Sequence, residues 1–196
     1  MAWLRYKLEG FEVLKDYFPL LKGHYQFEYM KIPFYLTEEY EELFAKYRAS
    51  LHFYTSETLK KLLYDFFEPT EREKDFFPTE IVEVRHGKKL IAAGIIDMGE
   101  KSSAGIVNFF DPVYKKYSLG KSLMIAKMVI CQRNGMDYYY PGYIAYGYPK
   151  FDYKLFLGID RAELFDPARQ IWVPYSEELR KMISEQFLKK EKVPKE

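Results

Sequence analysis

The residues best suited to chemistry lie between Asp111 and Lys154. Asp111-Pro112 closes an apolar run, and Lys115, Lys116 and Lys121 surround a turn that opens a helical pattern at about Leu119. Unpaired amides of a first helical turn beside three lysines make an anion site, and Gly120 lets the backbone approach a partner closely. From the residues alone a solvated basic turn is the plainer account. The run from Tyr117 to Ser122 has the spacing of neither a Walker loop nor a dinucleotide fingerprint. Asp111 is placed to orient an amine, although an Asp-Pro strand stop is the commoner use of that pair. Tyr138, Tyr139 and Tyr140 alternate along a strand, so Tyr139 points away from its two neighbours; one set packs inward and the other lines a cleft. Tyr143 suits stacking on a base, donation to a carbonyl, or plain burial as a phenol. Cys131 is a lone thiol inside the helical pattern and no histidine has a motif partner, so covalent nucleophilic catalysis ranks last.

The elements that must hold these residues read as a strand over 106–110, a helix over 119–134 and a tyrosine-rich strand over 137–143. Pro112 stops the first strand, and Gly135 sits where a left-handed helix stop is wanted. Pro141 ends the ladder or puts it at an open edge. Upstream, residues 79–98 switch to a period of two, with a hairpin turn at His86-Gly87-Lys88. Thr37 caps a helix that buries Tyr40, Leu43, Phe44 and Tyr47, and Thr55 or Ser56 starts another with Leu59, Leu62, Leu63 and Phe66 on one face. Glu68-Pro69-Thr70 ends it, and 71–75 is a polar loop. Trp3, Tyr6, Leu8 and Phe11 suggest an edge strand, and 27–34 a second one after a short helix. AELFD and IWVPY form a final hairpin, and Ser176 caps a last helix that frays into a charged tail.

Composition excludes more than it assigns. The 196 residues carry 30 Lys and Arg against 29 Asp and Glu, so no global field draws nucleic acid or membrane, and any such contact is a local patch. One cysteine rules out an intrachain disulfide and a cysteine metal cluster, and three scattered histidines suggest no ligand set. No apolar run approaches the ~18 residues of a membrane span, and a reducing, cytoplasmic setting follows most simply. The aromatic share of 19% suits either a tyrosine-rich core or a surface that stacks on polar ligands.

FFDPVYKKYSLG, then a helix, then GMDYYYPGY and GYPKFDYK, resembles the C-terminal domain of the aminoacyl-tRNA protein transferases of the N-end rule pathway, the arginyl and leucyl transferases. LTEEYEELFAKYRASLH extends the resemblance upstream, with His52 kept and Leu51 where the family has arginine. The resemblance implies an α/β (α+β) fold of N-acetyltransferase (GNAT) type, a mixed, mainly antiparallel sheet flanked by helices. Residues 1–36 would pack on this core, 37–190 would form the transferase domain, and 191–196 would be the frayed tail. It implies aminoacyl-tRNA as co-substrate and a protein or peptide N-terminus as acceptor. The family carries a cysteine-rich N-terminal module that this sequence lacks. Either it is missing from this version of the protein or it lies outside this stretch, and a separate chain could supply it.

Joining an activated ester to an amine needs orientation and oxyanion stabilisation more than a nucleophile. On this reading Asp111 and Tyr143 are the catalytic candidates. Lys116, Ser118, Gly120, Lys121, Tyr140, Tyr153 and Lys154 bind tRNA or substrate; Ser118 and Gly120 match the family SLG, and Tyr153-Lys154 match its YK pair. No metal is expected. Coenzyme A is not expected either, because Tyr117 and Lys121-Ser122 stand where acetyl-CoA users have Gln or Arg and small residues. Tyr117 also departs from the Arg or Lys of the transferases, which leaves phosphate contact to Lys116 and Lys121. A CoA-dependent N-acyltransferase and a non-catalytic tRNA- or peptide-binding relative stay open as alternatives. The site should be a common cavity holding Asp111, Ser118, Tyr143 and Lys154.

Overall fold

The computed structural model describes residues 1–64 and 77–191. Its strands are β1 (Ala2–Lys7), β2 (Glu28–Pro33), β3 (Thr79–His86), β4 (Lys89–Met98), β5 (Ser102–Phe110), β6 (Tyr138–Ile144), β7 (Ala162–Asp166) and β8 (Ile171–Pro174). They form one sheet in the order β2-β3-β4-β5-β6-β1-β7-β8. Every neighbouring pair is antiparallel except β5 and β6. The helices are α1 (Val13–Leu21), α2 (Glu38–Ala49), α3 (Leu59–Tyr64), α4 (Leu119–Arg133) and α5 (Glu177–Glu191). The mixed, mainly antiparallel sheet flanked by helices is the architecture expected from the sequence.

Local chemistry explains most boundaries. Gly87, at φ 58°, turns the β3–β4 hairpin, and Gly135, at φ 67°, stops α4. Thr37 Oγ1 accepts from the Tyr40 amide, and Ser176 Oγ from the Leu179 amide, at the starts of α2 and α5. α3 begins later than Ser56 because Thr58 Oγ1 takes the cap, accepting from the Lys61 amide. The Glu41 carboxylate also accepts from the amides of Leu59 and Lys60, so α2 holds the start of α3. Phe66, the stop at 68–70 and the loop at 71–75 lie outside the described residues, as does most of the tail.

Two helical layers sandwich the sheet. Tyr40, Leu43 and Phe44 of α2 and Leu59 and Leu63 of α3 pack on Ile81, Ala93, Ile95 and Phe109. On the other face Leu119 and Leu123 of α4 pack on Val82 and Val84, and farther along Met124 and Met128 join Leu4, Tyr6 and Ile144. β1 corrects the expected edge strand: it lies inside the sheet between β6 and β7. Both neighbours come from the far end of the chain, and the face carrying Ala2, Leu4 and Tyr6 is buried while Trp3 is 58% exposed.

The feature that positions the site is a split. β5 and β6 pair only from Ser102–Tyr138 to Ala104–Tyr140, and then part. Both strands bulge where they separate. Ile106 is the extra residue of β5 between the Ile96–Gly105 and Ile95–Val107 pairs, and the β1–β6 register slips between Tyr139 and Gly142, around Pro141. A bulge bends its strand and a proline removes a ladder donor, so the two strands diverge and leave a gap that α4 floors.

Candidate functional site

A cavity of about 220 Å³ fills this split, lined by Gly105–Asn108 of β5, Tyr139 and Pro141–Tyr143 of β6, Met124 and Lys127 of α4, and Phe151, Tyr153 and Lys154. The last three belong to the 3-10 segment Pro149–Leu157, which follows β6 and closes one side. Arg180 of α5 donates to the Ala145 carbonyl and pairs with Asp152, so a residue far along the chain holds this segment against the end of β6.

Lys154 is 7% exposed and donates at 2.8 Å to the Tyr143 carbonyl. Its Nζ lies 5.2, 5.0 and 5.3 Å from the ring centroids of Tyr143, Phe151 and Tyr153. The rings attract the ammonium and together strip it of water. Burial pulls its pKa down to about 8.

Lys127, only 1% exposed, was not among the sequence candidates. Its Nζ donates to Asn108 Oδ1 and the Ile95 carbonyl at 2.7 Å and to the Val107 carbonyl at 3.3 Å. Three acceptors around one nitrogen are the environment of an ammonium with all its hydrogens used. Burial pulls the other way, lowering its pKa to about 7. Room for this side chain comes from Gly94, where a Cβ would stand 2.6 Å from Asn108 Oδ1 and 2.9 Å from Lys127 Cε. Neither Lys127 nor Lys154 forms an ion pair with a described residue. The cavity therefore holds two buried lysines, and among the described residues no carboxylate lines it.

Tyr139 is the tyrosine of the triplet that reaches the cavity. It is 1% exposed, and its hydroxyl packs where a Cβ on Gly105 would collide with it. Burial holds that phenol well above its usual pKa, so it stays a hydrogen-bond donor across the physiological range. Tyr143 lines the same space, its ring 5.0 Å from Phe151 and 6.1 Å, edge-on, from Trp3.

The expected common cavity is not formed. Tyr143 and Lys154 share it with Tyr153, while Asp111 and Ser118 do not line it. The Asp111 carboxylate is taken up by Lys89 at 2.7 Å and by the Val113 amide at 3.1 Å, the cap of the 3-10 turn Pro112–Tyr117. Burial there opposes ionisation, but Lys89 and the Val113 amide outweigh it and hold the carboxyl below its usual range. Asp111 is thus a strand stop and cap, the commoner use of an Asp-Pro pair. Ser118 adopts φ 52° between the 3-10 turn and α4, and its side chain caps neither. Tyr140 leaves the cavity for the opposite face, where it meets Arg5 and Trp172. Gly120 gives its carbonyl to the Asn108 amide at 3.4 Å, so it touches the cavity wall through Asn108. A Cβ there would make only ordinary contact with Phe110 at 3.5 Å, so close approach is not what calls for glycine. Lys116 and Lys121 lie outside, over the rings of Tyr117 and Phe156 at 5.0 and 5.2 Å. Lys127 carried no usable signal, since a lysine in a helix reads as solvated until the glycine facing it is known.

Comparison with known proteins bears on what such a cavity serves. Residues 39–158 match the family described as arginine-tRNA-protein transferase, C terminus. Arginyl-tRNA-protein transferase 1 of Saccharomyces cerevisiae is 33% identical over 107 residues, which are 55% of this chain and 20% of that protein. An aspartate/glutamate leucyltransferase of Ruegeria pomeroyi is 28% identical over 121 residues, 60% of this chain and 43% of that protein. The chain thus spans less than half the length of these relatives. Among solved structures, the C-terminal domain of a putative lysylphosphatidylglycerol synthetase from Agrobacterium fabrum superposes with a TM-score of 0.54 at 12% identity, covering 74% of this chain and 46% of that one. A tandem GNAT protein of the clavulanic acid biosynthesis pathway gives 0.51 at 11%, covering 80% and 48%. At those identities the likeness speaks to the fold alone, which is GNAT-like. Since the family match runs unbroken through more than half of the chain and takes in the whole split, the chain belongs to the arginine-tRNA-protein transferase family through its C-terminal domain.

Proposed function

We propose that the chain transfers an amino acid, arginine or leucine, from aminoacyl-tRNA to the N-terminal amine of an acceptor protein, and that the split holds an acidic first side chain of that acceptor. The observation that carries this reading is a cavity with two buried lysines and, among the described residues, no lining carboxylate, which favours an anionic guest and repels a guanidinium or a lysine side chain. The relatives named for aspartate and glutamate support the same acceptor class. Of the two lysines Lys154 has donors to spare, since among the described residues only the Tyr143 carbonyl accepts from it, and it is the side chain that meets the acceptor carboxylate.

The chemistry is an aminolysis. The amine attacks the ester carbonyl, a tetrahedral oxyanion forms, and the ribose oxygen leaves with a proton. Tyr139 and Tyr143, whose hydroxyls bond to no described residue, supply donors to the oxyanion or orient the carbonyl. Lys127 spends all its hydrogens on the protein and contributes charge at the cavity floor. On this reading the donor is aminoacyl-tRNA and not coenzyme A, which is supported by the Lys121 and Ser122 amides, bonded to the Ser118 carbonyl in place of a pyrophosphate. Micromolar binding of acetyl-CoA by calorimetry would contradict that part.

The test is incubation with tRNA charged with labelled arginine or leucine and peptides beginning with Asp, Glu, Asn or Ala. Label should pass to the Asp and Glu peptides, and Lys154→Met should raise KM for them roughly tenfold or more, the loss of a charge-assisted hydrogen bond. No transfer from either donor, or equal transfer to the Ala peptide, sinks the reading.

A further inference from the structure

Away from the cavity, the turn that starts α4 is held from below by a histidine outside the family match. His24 is 6% exposed, with both ring nitrogens engaged: Nδ1 lies 2.6 Å from the Tyr29 hydroxyl and Nε2 lies 2.7 Å from the Tyr117 carbonyl. The Tyr29 hydroxyl donates to Ser122 Oγ at 2.9 Å, and Ser122 donates to the Leu119 carbonyl at 2.9 Å. This chain has four links and ends on a carbonyl at each side. Neither end can donate, so the hydrogens must come from Ser122, Tyr29 and the imidazole.

Counting them decides the state of the ring. A neutral histidine brings one hydrogen, and with one each from Ser122 and Tyr29 only three are available for four links. If Nε2 keeps its hydrogen for Tyr117, Tyr29 must donate to Nδ1, and Ser122 is left to choose between Tyr29 and Leu119. With the other tautomer, a nitrogen lone pair faces the Tyr117 carbonyl at 2.7 Å. An imidazolium brings two hydrogens, and all four links are made in the directions observed. We propose that His24 is a positioning residue whose protonation fixes the turn 117–122, because the charged ring completes this chain and the neutral ring leaves one link without a hydrogen.

The surroundings agree with a group that changes state. Phe27, Tyr29 and Tyr117 pack around the ring, and Gly23 passes under Tyr117. Lys116 lies over the Tyr117 ring, and His86 of β3 touches Phe27 from beyond it. Burial lowers the pKa of His24 and outweighs the Tyr117 carbonyl, which raises it. The clasp is therefore open near neutral pH and closes on acidification. Its reach extends to the site, since the turn carries Lys121 and the Gly120 carbonyl, which holds Asn108 and through it Lys127. Any effect on RNA binding rests on the function proposed above; the clasp does not.

The experiment follows His24 by ring nitrogen shifts while measuring protection of the Lys121 and Ser122 amides, which bond to the Ser118 carbonyl. Protection factors, corrected for intrinsic exchange, should rise at least threefold as His24 gains its proton. In Tyr29→Phe the ring should still titrate, and protection should stay flat. An unchanged wild-type profile, or an equal rise in Tyr29→Phe, overturns the clasp. Binding of charged tRNA measured over the same range should tighten with His24 protonation in wild type and not in Tyr29→Phe. If protection follows His24 and binding does not, the clasp stands and the placing of RNA on this turn fails.

Discussion

Lys127 has no ion-pair partner among the described residues and is surrounded by two backbone carbonyls and an amide oxygen. Lys127→Met keeps the length but orphans those acceptors, and an unmet buried acceptor costs about 1–3 kcal/mol. Urea midpoints should fall accordingly, and an unchanged midpoint would mean the acceptors find other partners. The sign of the pH effect follows from linkage. With its pKa lowered from 10.5 to about 7, the unfolded chain binds this proton more tightly than the folded one, so stability rises with pH between those values. Lys127→Met should lose that rise. Lys154 keeps its proton to a higher pH than Lys127. Its ammonium disappears as pH climbs through about 8, so KM for an acidic acceptor should increase above that pH while KM for an Ala-starting peptide does not.

At the scale of elements, the cavity depends on two glycines that face side chains of other elements. Gly94→Ala puts a methyl against Asn108 Oδ1 and Lys127 Cε, which must shift toward the cavity at the expense of their hydrogen bond, and should cost about 1–3 kcal/mol as overpacking does. Gly105→Ala should act through the Tyr139 hydroxyl, displacing it from the cavity floor and lowering kcat more than stability. The wall formed by Pro149–Leu157 depends on Arg180, which joins the Ala145 carbonyl, Asp152 and Glu177. Arg180→Met leaves that wall tied by fewer bonds. KM for the acceptor should rise several-fold with kcat less changed, because the wall positions Lys154 and takes no part in the chemistry. Equal losses in kcat and kcat/KM, with KM unchanged, would instead assign the wall to the transition state.

At the scale of the molecule, a formal charge of +1 leaves RNA binding to local lysines. Lys116 and Lys121 flank the α4 start and lie over aromatic rings, with no ion pair to a described residue. Replacing both with alanine should weaken charged tRNA binding and reduce the slope of log K against log salt by about 1.5, since each phosphate that is no longer neutralised takes ~0.7–0.9 from it. An unchanged slope would remove this turn from the RNA path. No helix among the described residues is long and apolar enough to cross a membrane.

What the chain alone determined was the order of its elements. Caps at Thr37 and Ser176, the turn at Gly87, the stops at Pro112 and Gly135, and the switch of period after Thr79 are local, and backbone chemistry acts within a few residues. Even the parting of the strands was legible at Pro141, because a missing amide is a property of the residue itself. The site was legible only in part. Tyr143, Tyr153 and Lys154, named from the family motifs, line the cavity, whereas Asp111 is held by Lys89, 22 residues away, and Tyr140 takes the opposite face of its strand. β1 could not be read as an interior strand, since β6 and β7, its neighbours, come more than 130 residues later. Lys127 was hidden for the same reason. Whether a helical lysine meets water or a cavity depends on what packs over it, and the missing Cβ of Gly94 acts across an approach of strand and helix that only the folded sheet creates.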